Sequence, residues 1–261
     1  MLIDSTFNFE IWFTLCAIGF IAGLIDAIAG GGGMLTVPTL LSAGLPPHIA
    51  LGTNKLAASF GSLTASVTFY RKKLFDPHFW RLSIIYTAIG AVLGTLAVGY
   101  LSNDFLEKSI PILIVITAIY TLLSKTVVTE IKGLPPLSAR IKKIQSTQGF
   151  ILGFYDGLAG PGTGAFWTAS SSALYKINIL LSCGLARSTN FVSNICSLLT
   201  FAYFGYVNFV IGISMGIFIM LGAGVGSHWA IKFGNRFIRP VFIVVVISMS
   251  VNLTYHAWFS Q

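Results

Sequence analysis

Charge is what this chain of 261 residues has least of. Only 9% of it is Asp, Glu, Lys or Arg while 55% is hydrophobic, against about 25% charged in a soluble domain. With a mean hydropathy of +0.82, it lacks the polar surface a soluble domain of this length needs, so the class expected is an all-α polytopic membrane protein. The apolar runs do not alternate, which excludes a membrane β-barrel. Acids are scarcer than bases, 8 against 16, leaving a net charge of +8. The bases sit in short loops between apolar runs, where they orient a membrane protein; no nucleic-acid partner is expected. Cysteine is rare, and Cys16, Cys183 and Cys196 lie in apolar runs without metal-ligand spacing, so they read as packing residues. The histidines, His48, His78, His228 and His256, are scattered. No His-Glu-x-x-His and no Gly-x-Ser-x-Gly occurs, and no Gly-Lys-Ser/Thr follows the glycine run. These absences argue against an intramembrane protease, a phosphate loop and haem ligation. No enzyme, metal or cofactor is called for. The N-terminus lacks a basic stretch, so its first apolar segment is expected to stay in the protein rather than be cleaved as a signal.

What is present is a duplication. Gly19-Phe20-Ile21-Ala22-Gly23-Leu24-Ile25-Asp26-Ala27-Ile28-Ala29-Gly30 recurs as Gly149-Phe150-Ile151-Leu152-Gly153-Phe154-Tyr155-Asp156-Gly157-Leu158-Ala159-Gly160, an offset of 156 − 26 = 130. Each copy runs into a helix breaker, Gly31-Gly32-Gly33 in the first and Pro161-Gly162-Thr163-Gly164 in the second. A second block, Gly52-Thr53-Asn54-Lys55, matches Ser188-Thr189-Asn190-Phe191 at an offset of 189 − 53 = 136. Gly90 and Gly94 likewise match Gly222 and Gly226 as Gly-x-x-x-Gly pairs, a spacing that lets membrane helices approach closely.

The apolar segments fall at about 9–29, 34–44, 49–70, 79–100 and 108–127, then 148–160, 164–175, 183–204, 208–230 and 239–258. Spanning takes about 20 residues, so the short pieces pair into hairpins. Each repeat is read as one glycine-broken re-entrant hairpin (or two short spans) plus three transmembrane helices. Repeat 1 covers residues 1–128, a basic cytoplasmic loop 129–147, and repeat 2 covers 148–261. The positive-inside rule puts Arg71-Lys72-Lys73-Arg81, the central loop from Lys125 to Lys143, Lys176 with Arg187, and Lys232-Arg236-Arg239 in the cytoplasm. Both termini then face the periplasm, and the second repeat is inverted.

Asp26 and Asp156 are ionisable groups at membrane depth, which makes them functional candidates. The alternative is that each carboxylate ties down its broken backbone. Asn54 and Asn190 each need several hydrogen-bond partners that lipid does not supply; lining a polar cavity and clamping two helices both remain open. Lys55 and Arg187 are the cations near this depth, four alignment positions apart, and Arg187 also reads as one of the inside charges. A helix starting within the membrane aims free N–H groups and a partial positive charge at what lies there. Two such starts, with Thr, Asn and a cation, fit a small oxyanion.

Together the residues Ile25-Asp26-Ala27-Ile28-Ala29-Gly30-Gly31-Gly32-Gly33, Pro38, Gly52-Thr53-Asn54-Lys55, Asp156-Gly157, Gly160-Pro161-Gly162-Thr163-Gly164 and Thr189-Asn190 resemble the sulfite exporter TauE/SafE family of bacterial membrane proteins. The resemblance implies a multi-pass inner-membrane permease whose cargo is a small sulfur-containing anion such as sulfite or an organosulfonate. The site expected is Gly30, Gly31, Gly32, Gly33, Gly160, Gly162, Thr163 and Gly164 with Thr53, Asn54, Thr189 and Asn190. Lys55 would supply the counter-charge, Arg187 is the candidate for a further charge, and Asp26 and Asp156 would act as hinge or coupling carboxylates. Phe191 stands where the first copy has Lys55, which speaks against two symmetric cations. Export of an anion is helped by a negative-inside potential, at about 2.3 kcal/mol per charge per 100 mV. Proton-coupled uptake of another small organic anion, a non-transporting scaffold or assembly factor, and a homodimer stay open as alternatives.

Overall fold

Long apolar runs without charge propagate as helix until a breaker or a cap stops them, and every regular element among the described residues is an α-helix. The structure, a computed structural model, describes residues 9–123 and 133–233. In chain order the helices are α1 (Phe9–Ala29), α2 (Gly33–Ser42), α3 (Pro47–Arg71), α4 (Arg81–Gly99) and α5 (Asn103–Leu123), then α6 (Ala139–Leu158), α7 (Thr163–Tyr175), α8 (Ile179–Tyr203) and α9 (Phe209–Phe233). Among them α1, α4 and α9 are long and apolar enough to cross a membrane. The segment expected at 239–258, and with it Arg236, Arg239 and His256, lies outside the described residues, as do Lys125 and Lys132.

Local chemistry sets the boundaries. Pro46 precedes α3 and Pro47 opens it, the first-turn position proline tolerates best. Asn178 caps α8 by accepting the Leu181 N–H at 2.9 Å. Ser138 caps α6 by accepting the Ile141 N–H at 3.3 Å. The α6 helix therefore starts nine residues before the apolar stretch that marks it in the sequence, and Arg140, Lys142 and Lys143, expected in a loop, occupy its first turns.

Helices α3 and α8 are the most buried, with Thr53, Asn54, Lys55, Arg187, Thr189 and Asn190 all inside. They run antiparallel: Ser66 Oγ meets Ser188 Oγ at 2.9 Å, while Ser62 Oγ, one turn earlier, accepts from Asn194 at 3.4 Å, further along its own helix. Around this pair the glycine ridges set two reciprocal contacts. A Cβ on Gly23 would lie 2.1 Å from the Ile219 carbonyl oxygen, and one on Gly222 would lie 2.0 Å from that of Phe20, which locks α1 to α9. In the same way Gly94 faces the Phe154 carbonyl at 2.1 Å and Gly157 faces that of Ala91 at 2.2 Å, which locks α4 to α6. The first helix of each copy thus packs on the fourth helix of the other. Backbone against backbone leaves no room for a methyl group. Gly94→Ala is expected to destabilise the protein by about 1–3 kcal/mol, read as a lower melting temperature in detergent. Gly224→Ala, where the nearest atom stands at 3.9 Å, should melt unchanged or slightly higher because alanine is the better helix former.

Candidate functional site: a cavity between the two helix breaks

Both duplicated stretches end in the same backbone conformation. Gly30 has φ +88° and Gly160 has φ +89°, a region open to glycine and strained for other residues. Helix α1 stops there and α2 restarts at Gly33, while α6 stops there and α7 restarts at Thr163. The two breaks touch. The Ala165 N–H donates to the Gly30 carbonyl at 3.2 Å, and a Cβ on Gly30 would meet the Gly164 carbonyl carbon at 2.4 Å.

Asp26 accepts the Gly32 N–H on Oδ1 at 3.1 Å, so this carboxylate does hold its own broken backbone. Its other oxygen lies 3.7 Å from Arg187 Nη1 on α8. Asp156 is held more tightly. Lys55 Nζ on α3 donates to Asp156 Oδ1 at 2.9 Å and to its carbonyl at 2.5 Å. The Thr163 hydroxyl donates to Oδ1 at 3.1 Å, and the Ser193 hydroxyl donates to Oδ2. Each aspartate therefore faces the cation of the other copy, but the two pairs are unequal. Lys55–Asp156 is a buried contact pair whose carboxylate has further donors. Arg187 is completely buried and, among the described residues, Nε, Nη1 and Nη2 have no hydrogen-bond acceptor. Burying a guanidinium without acceptors is costly.

Between these groups is a cavity of about 40 Å³, room for roughly three waters at about 10–15 Å³ each, or for one oxyanion of similar heavy-atom count. Gly30, Gly32, Gly33, Gly160, Gly162, Thr163 and Gly164 line it from the two breaks, and Asp26, Asn54, Lys55, Asp156 and Asn190 line it from the long helices. Asn54 Oδ1 accepts the Thr36 hydroxyl at 2.5 Å, which leaves its NH₂ for the cavity. Asn190 Oδ1 is buried without a partner. Gly164 separates the cavity from Arg187; a Cβ there would sit 2.6 Å from Arg187 Nη1 and 2.8 Å from Asn190 Nδ2.

Four of the residues expected in the site are not among those lining the cavity. Gly31 stays in the break, its carbonyl accepting the Met34 N–H at 3.0 Å. Thr53 accepts the Asn208 N–H at 2.9 Å beside the start of α9. Thr189 bonds back to the Leu185 carbonyl at 2.9 Å. Arg187 lies behind the wall.

A profile described as Sulfite exporter TauE/SafE matches residues 15–253. The chain belongs to that family. Among its TauE/SafE relatives, the "Probable membrane transporter protein YfcA" of Escherichia coli K12 is 36% identical over 243 residues, covering 91% of this chain and 87% of the relative. The "Probable membrane transporter protein ORF9" of Sinorhizobium is 35% identical over 247 residues, 92% and 90% of the two chains. A "Probable membrane transporter protein" of Haemophilus influenzae is 35% identical over 246 residues, 94% and 95%. No solved structure matches at a significant level. The chain is thus a membrane transporter of the TauE/SafE family. Its cavity also draws on Thr36 and Asn194, outside the expected site. Thr36 carries no repeat signal, because the aligned position in the second copy is Phe166.

Proposed function

We propose that this transporter is a permease for small anions of the sulfite and short-sulfonate class, carried outward across a bacterial inner membrane, and that the cavity between the two breaks is its cargo site. The observation that carries this reading is a fully buried arginine with all three nitrogens unclaimed, next to Gly164 at the rim of a cavity into which two helices begin. Cation, helix starts and amides all favour negative charge. The size favours a compact oxyanion over a large organic acid. Sulfite and sulfonate come from the family's name and chemistry; the cavity supports the charge and the size.

We infer further that the chain is two inverted repeats, residues 1–128 and 148–261, whose breaks reach the cavity from opposite faces. The antiparallel α3 and α8, the reciprocal packing of α1 on α9 and of α6 on α4, and the crossed Lys55–Asp156 and Arg187–Asp26 pairs support this. The test is flux in proteoliposomes. Asn54→Ala combined with Asn190→Ala is expected to lower sulfite or methanesulfonate flux at least about tenfold, one lost hydrogen bond to a charged group being worth roughly 1.5–3 kcal/mol. Wild-type flux in that variant discards the cavity as the cargo site.

A further inference from the structure

The four charged side chains that meet at the breaks, Lys55, Arg187, Asp26 and Asp156, sum to zero. A monoanion added to them would leave one uncompensated negative charge in a small, buried space. We propose that each monoanion bound here is accompanied by one proton carried on Asp26. This rests on the anion reading above and deepens it.

The two pairs differ in whether they can exchange partners. Asp156 is saturated: Lys55 at 2.9 Å, the Thr163 hydroxyl at 3.1 Å and the Ser193 hydroxyl all donate to it. These donors hold it fixed. Asp26 has a single hydrogen bond, from the Gly32 N–H on Oδ1, and its Oδ2 stands 3.7 Å from Arg187, too far to satisfy that guanidinium. Its side chain is 24% exposed, whereas that of Arg187 is fully buried. The open pair is the one that yields. An incoming anion takes the place of Oδ2 of Asp26, a lining residue, 3.7 Å from Arg187 Nη1, and so reaches past Gly164 the guanidinium donors that the carboxylate does not use. The displaced carboxylate is then beside an anion with no free cation left. Two like charges in close contact are not both kept ionised in such surroundings. A proton from solvent joins Asp26, and the site is neutral again. The balance is one anion and one proton in, the O–H broken being that of a solvent hydronium ion, which leaves as water, and both are released together on the other side.

Among the described residues no other group near Asp26 takes this role. Helix α2 contributes no titratable side chain, α7 only Tyr175 at its far end, and α8 the buried Cys183 and Arg187 with Cys196 further on. Helix α3 brings Lys55 and α6 brings Asp156, which hold each other. Helix α9 brings Ile219 to the wall, and its His228 and Lys232 are exposed. Transport becomes electroneutral: flux follows the anion gradient and the pH difference, and loses the help of membrane voltage.

The test uses the purified full chain and sodium methanesulfonate, a probe that stays a monoanion at every pH used. Binding is followed by calorimetry over roughly pH 6 to 8, in two buffers of different ionisation enthalpy. The expected result is a Kd that rises about tenfold per pH unit with close to one proton taken up per anion. Asp26→Asn is expected to bind more tightly than wild type at the upper end of the range, with no pH slope and no proton uptake. A wild-type Kd independent of pH, with no uptake, overturns the proposal and leaves the anion reading standing. A pH slope that survives in Asp26→Asn overturns it too, by placing the proton elsewhere. Absence of binding by methanesulfonate and by bisulfite at every pH overturns the anion reading, and this proposal with it. The wild-type slope and uptake decide the matter even if Asp26→Asn does not fold.

Discussion

Arg187→Gln is expected to lose anion binding while the protein becomes no less stable. A guanidinium with three unclaimed nitrogens at zero exposure is a cost to the empty protein, and glutamine removes the charge at similar length. Asp26, its neighbour at 3.7 Å, keeps the Gly32 N–H and its partial exposure, so the melting temperature in detergent should hold. The same change takes from the proposed cargo the cation that, among the described residues, has no hydrogen-bonded partner. Removing one member of a close, buried charge pair costs about 2–5 kcal/mol, so affinity should fall from about 30-fold to several thousand-fold, with flux falling alongside. Arg187→Lys should recover part of the affinity, because it restores a point charge without the planar fork. The combination is diagnostic. An arginine kept for packing would show the reverse, a lower melting temperature with binding intact.

Lys55→Met is expected to do the opposite. Lys55 is paired at 2.9 Å with a carboxylate that is itself buried, and methionine leaves that carboxylate facing only hydroxyls. Breaking a buried pair from one side costs about 3–5 kcal/mol, which should appear as a large fall in melting temperature and in yield from the membrane. Adding Asp156→Asn removes the stranded charge and should restore most of the loss. A double variant no better than the single one would mean that Lys55 matters through its hydrogen bond to the Asp156 carbonyl rather than through charge.

The helical class, the two glycine breaks and their meeting with Asp26, Asp156, Asn54 and Asn190 were legible in the sequence. They were legible because a repeat compares the chain with itself: a polar residue kept twice in an apolar run stands out. The same comparison also marks Thr53 and Thr189, which do not line this cavity. They repeat, but each satisfies backbone nearby, and membrane helices reuse Thr in this way without any cargo. Thr36 could not be found by that route, having no repeated partner. The division of labour between the two cations was also out of reach. Lys55 reads as the free charge because it belongs to the Thr-Asn block, and Arg187 reads as one inside charge among several. Only the distances reverse this, showing Lys55 occupied and Arg187 without an acceptor. The start of α6 was hidden for another reason: Arg140, Lys142 and Lys143 look like loop by hydropathy, and the Ser138 cap makes them helix.

The hydrogen bond from the Ala165 N–H to the Gly30 carbonyl has a mechanical meaning. It ties the two kinks to each other where α1 gives way to α2 and α6 to α7, so neither can straighten or swing without pulling on its counterpart. A pore open to both compartments at once would require both kinks to retreat together and that tie to part. On the permease reading proposed above, a seesaw, one mouth closing as the other opens, would keep it intact, and this single peptide contact would guard against leak.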